Sequence, residues 1–366
     1  MKILQLSKYY PPAHGGLELV AEFFSRAVCE LGHEVTVVSL GKETKIYTGR
    51  FGERVLESKE DLKLSSSPIS LQYFLNARVS IQQNPPDLIL LHLPHPFAHE
   101  VIKWFKTTIK DANIKLAGIY HSDIVNQVSL RDAYNLHFLR HQEIYDFFIC
   151  SSPNLQKSSP ILSLLPENRV KIIPFCIDHS FKARFSENVR DFQGRFISIG
   201  RMVPYKGYDF LIDCFNSLPY SLTLVGSGPL KAQLQKKAGS NIKFLGEVSE
   251  EEKFRLLQSH DALIMSSINR AEAYGMTIVE AFSVGLPVIA SNVNSGVSFL
   301  VKDEATGLKF PIKDFAGLSL QIEKLKNCPG LAKKLSEGGM DFFNRELSYE
   351  AFMNNFKSLI ASVDKA

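Results

Sequence analysis

Disulfide frameworks and zinc sites need cysteine in number and at close spacing, and this chain has neither. Its five cysteines, Cys29, Cys150, Cys176, Cys214 and Cys328, are scattered over 366 residues with no C-x-x-C pair. An odd, dispersed set suits reduced thiols in a cytoplasmic protein. Long hydrophobic runs are missing as well. No stretch approaches the roughly 18 apolar residues of a transmembrane helix. The segment from Met1 to Lys8 reaches Pro11-Pro12 before a signal-peptide core can form. Charge of one sign is also scarce. The formal net charge is +4, with 19 basic and 18 acidic residues in 1–180 and 23 and 20 in the remainder. A nucleic-acid binder carries a stronger basic bias, so nucleic acid is excluded as a partner. Internal repeats and low-complexity tracts are absent too.

What is present describes a globular protein of two domains: 45% apolar residues, 22% charged, and a length beyond one ordinary core. Ile3 to Leu6 reads as a buried strand, followed by a loop through Gly15-Gly16, a helix from about Leu17 to Leu31 and a strand from Glu34 to Leu40. A strand, a glycine turn and a helix begin a doubly wound α/β domain. Short strands at Arg54 to Glu57 and Leu62 to Leu64 and a helix from Leu71 to Gln83 come next. Asp87 to Leu93 is then a buried strand ending in Pro94-His95-Pro96. A helix from about Phe97 to Lys110 carries Lys103, Lys106, Lys110 and the single tryptophan, Trp104. That stretch is either a solvated face or a contact with anionic lipid. Lys115 to Tyr120 delivers His121 at its carboxyl end, the rim where such sheets place ligand groups. Phe147 to Ser152 and Val170 to Phe175 supply two more strands with a helix between them, and the polar residues 179 to 195 read as a linker.

The second domain opens on the strand Phe196 to Gly200, followed by Arg201 and Lys206 across a proline-containing loop. A guanidinium fork and an ammonium point charge on one loop suit a single diphosphate. Leu222 to Val225 runs into the glycine turn Gly226-Ser227-Gly228, Ile242 to Leu245 precedes Val248, and Asp261 to Ser266 is a further strand. The chain is organised around the stretch that comes next. Met276, Val279, Ala281, Phe282 and Val284 fit a helix of about ten residues, opened near Gly275 and closed at Gly285, and Pro287 to Ser291 is a buried parallel strand. Glu272 lies ahead of this helix and Glu280 about five residues inside it, so their carboxylates stand about 7 Å or more apart along the axis. The free amides of a helix N-terminus lie between them and favour phosphate. An acceptor-only carboxylate on each side of an anion site matches an extended nucleotide diphosphate-sugar. A helix from about Phe315 to Leu325 and a final helix from Tyr349 to about Val363, capped by Ser348, complete the chain.

Over Asn269 to Ser291 the sequence resembles the E-x7-E motif of the retaining glycosyltransferases of family 4. Glu272 and Glu280 fill both glutamate positions, Gly275 and the Gly285-Leu286-Pro287-Val288 exit are in place, and Tyr274 stands where phenylalanine is commoner. Gly200-Arg201 and Lys206-Gly207 match the family's Gly-Arg…Lys-Gly signature. The resemblance covers nearly the whole chain, most strongly Phe196 to Leu308. It implies the GT-B fold, two Rossmann-like doubly wound parallel-sheet domains facing across a cleft. Residues 1–178, joined by the last helix at 348–364, would form the acceptor side, and residues 179–347 the donor side.

The resemblance also implies roles for single residues. Gly15, Gly16, Gly200, Arg201, Lys206 and Gly226 would line the donor diphosphate and nucleotide pocket. Val248 would lie beside the base. Glu272, with Ala273, Tyr274, Gly275, Met276, Thr277 and Ile278, would face the sugar and phosphates, and Glu280 the ribose. His121 corresponds to the family's active-site histidine, making His121, Glu272, Arg201 and Lys206 the catalytic set. Cys176 occupies a position in the interdomain passage where glycine is usual, so a left-handed backbone there would be strained. The Leu91-His92-Leu93-Pro94 and Tyr120 to Val125 segments look like a bacterial subgroup that transfers mannosyl or rhamnosyl units, although His95 and Phe97 depart from its Pro-Asn-Pro-Leu wording. A GDP-sugar is the favoured donor, with a UDP-sugar as the alternative, and a glycan or lipid-linked hydroxyl is the acceptor. The chain has no Asp-x-Asp, and Arg201 with Lys206 can neutralise the diphosphate, so no metal and no cofactor are expected. Two rivals remain: a GT-B nucleotide-sugar epimerase, and a non-catalytic sugar-nucleotide binding protein.

Overall fold

Continuous apolar runs build two sheets of mostly parallel strands. The computed structural model describes residues 1–13, 15–64, 67–125, 128–178 and 192–363. Most of the expected linker, 179–191, therefore lies outside the described residues. The chain divides into two compact units, Met1–Phe175 with Phe352–Ala366, and Cys176–Ala351. The sequence reading places the joins slightly differently, after residue 178 and after residue 347.

The first unit holds β1 (Lys2–Tyr9), β2 (Glu34–Gly41), β3 (Lys45–Thr48), β4 (Arg54–Lys59), a small antiparallel hairpin of β5 (Leu62–Leu64) and β6 (Ser67–Ile69), β7 (Leu88–Leu93), β8 (Lys115–Tyr120), β9 (Phe147–Cys150) and β10 (Val170–Ile172). The main sheet runs β10-β9-β8-β7-β1-β2-β4-β3, with only the edge strand β3 antiparallel. All six residues of β7 are buried, as expected of a strand covered on both faces. Order reverses between β1 and β7, so the carboxyl ends of those strands flank a topological switch point. The Gly16–Glu30 helix packs Phe24 edge-on against Phe352 and Phe356 of the last helix, with ring centroids 5.0 and 5.4 Å apart.

The second unit is a six-stranded, wholly parallel sheet of β11 (Arg195–Ile199), β12 (Ser221–Val225), β13 (Ile242–Gly246), β14 (Ala262–Met265), β15 (Val288–Ser291) and β16 (Leu308–Phe310). Its order, β13-β12-β11-β14-β15-β16, is the dinucleotide-fold order 3-2-1-4-5-6. The switch point lies between β11 and β14, which places the loop with Arg201 and Lys206 next to the segment with Glu272. Glycines tie the strand ends together. The Gly226 amide donates to Gly246 O at 2.7 Å, and the Gly200 amide to Val225 O at 3.0 Å.

Several expectations need correction. The helix expected from Phe97 to Lys110 is two helices, Pro96–Trp104 and Lys106–Asp111, broken at Phe105. Phe105 is buried and stacks on Phe74, ring centroids 5.5 Å apart, so packing sets the break and no breaker residue does. The strand expected over Val170 to Phe175 ends at Ile172. Cys176 is not among the described non-glycine residues of positive φ, which are Asn113, Glu304 and Lys313, so no left-handed strain arises there. His95 caps the Pro96–Trp104 helix, its Nδ1 accepting from the Ala98 amide at 3.4 Å.

The glycine seam makes a stability prediction. Gly226 has φ +121°, and a Cβ there would lie 2.2 Å from Gly200 O, whereas Gly246, at φ +74°, would meet only the Lys231 ammonium at 3.5 Å. Gly246→Ala should therefore cost only the left-handed penalty of about 1–2 kcal/mol. Gly226→Ala should cost more, because β11 and β12 must separate at their ends. Calorimetric melting of the two variants should show the larger drop in Tm for Gly226→Ala; an equal or smaller drop contradicts the seam.

Candidate functional site

The second unit gathers its charged groups at the carboxyl ends of β11 and β14. After β11 the chain turns through Gly200 at φ +150°, where a Cβ would lie a tight 3.1 Å from the Lys206 ammonium. Arg201 follows and is exposed. Pro204–Lys206 forms one 3-10 turn closed by Gly207 at φ +69°, where a Cβ would meet Ser266 O at 2.1 Å. The loop is pinned to the end of β14 by Ser266 Oγ, which donates to Lys206 O at 2.9 Å.

This pinning directs Lys206 inward. Its Nζ lies 2.6 Å from Glu272 Oε2, and both side chains are largely buried, at 12% and 9% exposure. Burial works against the ammonium charge, but the Glu272 carboxylate, with Tyr208 and Tyr205, outweighs it and the net pKa shift is upward. Ser267 Oγ donates a second hydrogen bond to the same carboxylate oxygen at 2.9 Å. The sequence reading gives Lys206 to phosphate and Glu272 to sugar as separate groups. The structure joins them as one ion pair. Arg201 stands outside this pair.

Gly275, at φ +93°, turns the chain into the short helix Met276–Ser283. The first helical bond runs from the Ile278 amide to Gly275 O at 2.8 Å, so the Met276 and Thr277 amides stand ahead of it. The Thr277 hydroxyl beside them is buried with no hydrogen-bond partner among the described residues. The loop before the helix is fixed at Ala273, whose carbonyl accepts from the Gly296 amide at 2.7 Å, and Tyr274 is buried.

Glu280 lies inside this helix, where all six residues from Ile278 to Ser283 are buried. Its Oε1 meets Lys253 Nζ at 2.8 Å, and Lys253 also holds Glu250 at 2.8 Å. Its Oε2 is buried without a partner among the described residues. Burial raises the Glu280 pKa, and Lys253 opposes that rise. Lys253 sits on the Glu250–Ser259 helix, capped by Ser249, and Val248 lies in the loop just ahead of the cap. The sequence reading missed Lys253. One signal was available: it precedes the buried Leu257 by four residues and so shares its helix face.

The remaining expected residues lie in the first unit. Gly15 caps the Gly16–Glu30 helix and both glycines are exposed; a Cβ on Gly15 would meet the Glu18 carboxylate at 2.2 Å, so that side chain lies close beside the glycine. His121 follows β8 and is 4% exposed. Its Nε2 lies 2.7 Å from His92 Nδ1, the rings nearly parallel with centroids 5.0 Å apart. Burial pushes the His121 pKa down to about 3, and burial with the neighbouring His121 and His95 lowers that of His92. Both rings are therefore neutral at pH 7. His92 Nε2 and His121 Nδ1 are buried without partners among the described residues. Since one proton serves the shared bond, one of these ends presents an N–H and the other a lone pair. His92 was not a site candidate in the sequence.

One cluster has the composition of a metal site. His99, Glu100 and His137 bring ligand atoms within 4.8 Å of one another. Lys103 Nζ already fills the cation's place, 3.0 Å from Glu100 and 2.9 Å from His137.

Comparison with known proteins identifies the family and the fold. A model described as "Glycosyltransferase Family 4" matches residues 14–181, and one described as "Glycosyl transferases group 1" matches residues 180–341. The chain is 27% identical to the O-antigen chain mannosyltransferase C of Escherichia coli, over 99% of this chain and 100% of that protein. It is 29% identical to the D-rhamnosyltransferase WbpZ of Pseudomonas aeruginosa, over 92% of this chain and 89% of that protein. Among solved structures it is similar to sucrose-phosphate synthase from Thermosynechococcus elongatus, with a TM-score of 0.78 at 18% identity covering 100% and 99% of the two chains. It is also similar to Anabaena Alr3699/HepE in complex with UDP and glucose, with a TM-score of 0.72 at 17% identity covering 99% and 100%. The two family models lie end to end over nearly the whole sequence, and the chain belongs to the family 4 glycosyltransferases, with the GT-B fold.

Proposed function

We propose that the protein transfers a mannose- or rhamnose-type sugar from a nucleotide-sugar, GDP-linked before UDP-linked, to a hydroxyl of a glycan or lipid-linked acceptor, with retention of anomeric configuration. The observation that carries this reading is two buried polar atoms of the Met276–Ser283 helix without a partner among the described residues, the Thr277 hydroxyl and Glu280 Oε2, beside the Met276 and Thr277 amides that stand ahead of the first helical bond. Buried polar groups without partners are costly unless a ligand completes them. A diphosphate suits the amides and Arg201, and ribose hydroxyls suit Glu280. Lys206 and Glu272 would share the diphosphate-sugar junction, the ammonium toward the departing phosphate and the carboxylate toward sugar hydroxyls. Catalysis is then positioning and electrostatic support of the leaving diphosphate. His121, being neutral, can serve the sugar as a hydrogen-bond partner and not as a cation.

The similarity to two proteins named for O-antigen mannosyl and D-rhamnosyl transfer supports cell-surface polysaccharide as the product class. No helix among the described residues is long and apolar enough to cross a membrane. Peripheral contact with a membrane's cytoplasmic face would fall to Trp104, which is 77% exposed, with the exposed Lys106 and Lys110.

Incubation with GDP-mannose, GDP-rhamnose and UDP-sugars plus a lipid-linked glycan acceptor should give a product that retains the donor's anomeric configuration, at a rate that excess EDTA leaves unchanged. Epimerised donor, or binding without turnover of any donor, would overturn the reading. A rate abolished by EDTA and restored by Mg²⁺ or Mn²⁺ would overturn the assignment of the cation's work to Arg201 and Lys206.

Single substitutions should separate the roles. Arg201→Ala should lower kcat/KM by about one to two decades with little change in Tm, because its group is exposed. Lys206→Ala should lower it as much and also destabilise the fold by about 3–5 kcal/mol, since Glu272 loses its buried partner. Glu272→Gln should chiefly lower kcat, because its contact strengthens as the sugar reorganises. Glu280→Gln should chiefly raise donor KM and weaken binding of the bare nucleoside diphosphate. Steady-state kinetics with GDP affinities checks all four. Loss of GDP affinity in Glu272→Gln with retention in Glu280→Gln would mean the ligand lies the other way round.

A further inference from the structure

Glu280 presents a problem that its own helix cannot solve. A carboxylate that is 6% exposed, inside a helix buried from Ile278 to Ser283, protonates unless something holds its charge. The charged groups facing it are Lys253 and Glu250 from the Glu250–Ser259 helix and Lys206 from the loop after β11. On the elements packed behind it, Arg345 pairs with Asp341 and Glu346, and Lys333 with Glu337, all at the surface. Among the described residues only Lys253 makes contact, 2.8 Å from Oε1, and it leaves Oε2 without a partner among them.

We propose that Lys253 is a positioning residue for the donor: by pairing with Oε1 it keeps Glu280 ionised and aims Oε2 at the ribose hydroxyls of the nucleoside diphosphate. This rests on the assignment of Glu280 to ribose made above. A charged acceptor takes a hydroxyl hydrogen bond more strongly than a neutral carboxyl does. Lys253 itself need not touch the ligand. Glu250, on the far side of the ammonium, holds the lysine in place from the same helix at 2.8 Å.

The sign of the pH effect follows. Burial raises the Glu280 pKa and Lys253 lowers it. Replacing Lys253 with methionine keeps the apolar stem and removes the opposition, so the pKa rises further. Glu280 is then neutral at low pH, where the contact weakens, and ionised at high pH, where it recovers.

The test is GDP affinity by calorimetry from pH 6 to pH 9 for wild type, Lys253→Met, Lys253→Arg, Glu280→Gln and the double variant Lys253→Met/Glu280→Gln. Taking each variant's Kd as a ratio to wild type cancels the titration of GDP itself. The proposal expects Lys253→Met to bind about tenfold or more weakly at pH 6 and to approach wild type as the pH rises. Lys253→Arg should restore the affinity. The double variant should be no weaker than Glu280→Gln alone, since Lys253 then has nothing to hold; with no charge left at either position it also serves should Lys253→Met fold poorly. A loss that is the same at every pH, or a further loss in the double variant, would overturn the proposal while leaving the ribose assignment intact. Unchanged GDP affinity in Glu280→Gln would overturn the ribose assignment itself.

Discussion

A carboxylate taken out of water must be paired or give up its charge, and the second unit keeps two of them inside. Glu272 is held by Lys206 and Ser267, Glu280 by Lys253. Each lysine comes from a different element than its acid, so each pair forms only when strand order and loop geometry are correct. The switch point between β11 and β14 brings the first pair together, and the Ser249-capped helix supplies the second. The loops that carry Lys206 and Glu272 are thereby tied to the sheet. The second pair leaves Glu280 Oε2 without a partner among the described residues, and the proposed nucleotide-sugar would fill it.

The first unit buries the carboxylates of Glu53 and Glu57 and, in addition, a pair of imidazoles. His92 and His121 are buried as neutral rings that share one hydrogen bond, and aromatic neighbours surround them, Phe24 beside His92 and Phe175 beside His121. Each keeps a ring nitrogen without a partner among the described residues. Two imidazoles cost less than two charges to bury, and together they offer one donor and one acceptor.

Much of this was legible because parallel sheets write themselves as apolar runs. Leu88 to Leu93 and Ala262 to Met265 are buried along their whole length. The paired glutamates and the Arg201 to Lys206 loop were legible for a different reason, a motif of fixed residue types at fixed spacing. What was missed lacked such local signals. Strand β3 is an exposed edge with no apolar run. The break at Phe105 comes from its stack on Phe74, some thirty residues away in sequence, which no window around Phe105 contains. Lys253 follows three glutamates and reads as part of a solvated helix face, while its partner lies 27 residues onward. The Lys206–Glu272 pair was hidden in the same way: both residues were found, but their contact is a property of the fold.

The central claim is that one site, at the junction of β11, β14 and the Met276–Ser283 helix, holds the nucleoside diphosphate. A crystal structure of the protein with GDP tests it most directly. The account predicts the diphosphate on the Met276 and Thr277 amides with Arg201 against it, and ribose hydroxyls within hydrogen-bond reach of Glu280 Oε2. A diphosphate bound away from that helix start, or a ribose with no contact to Glu280, would contradict it.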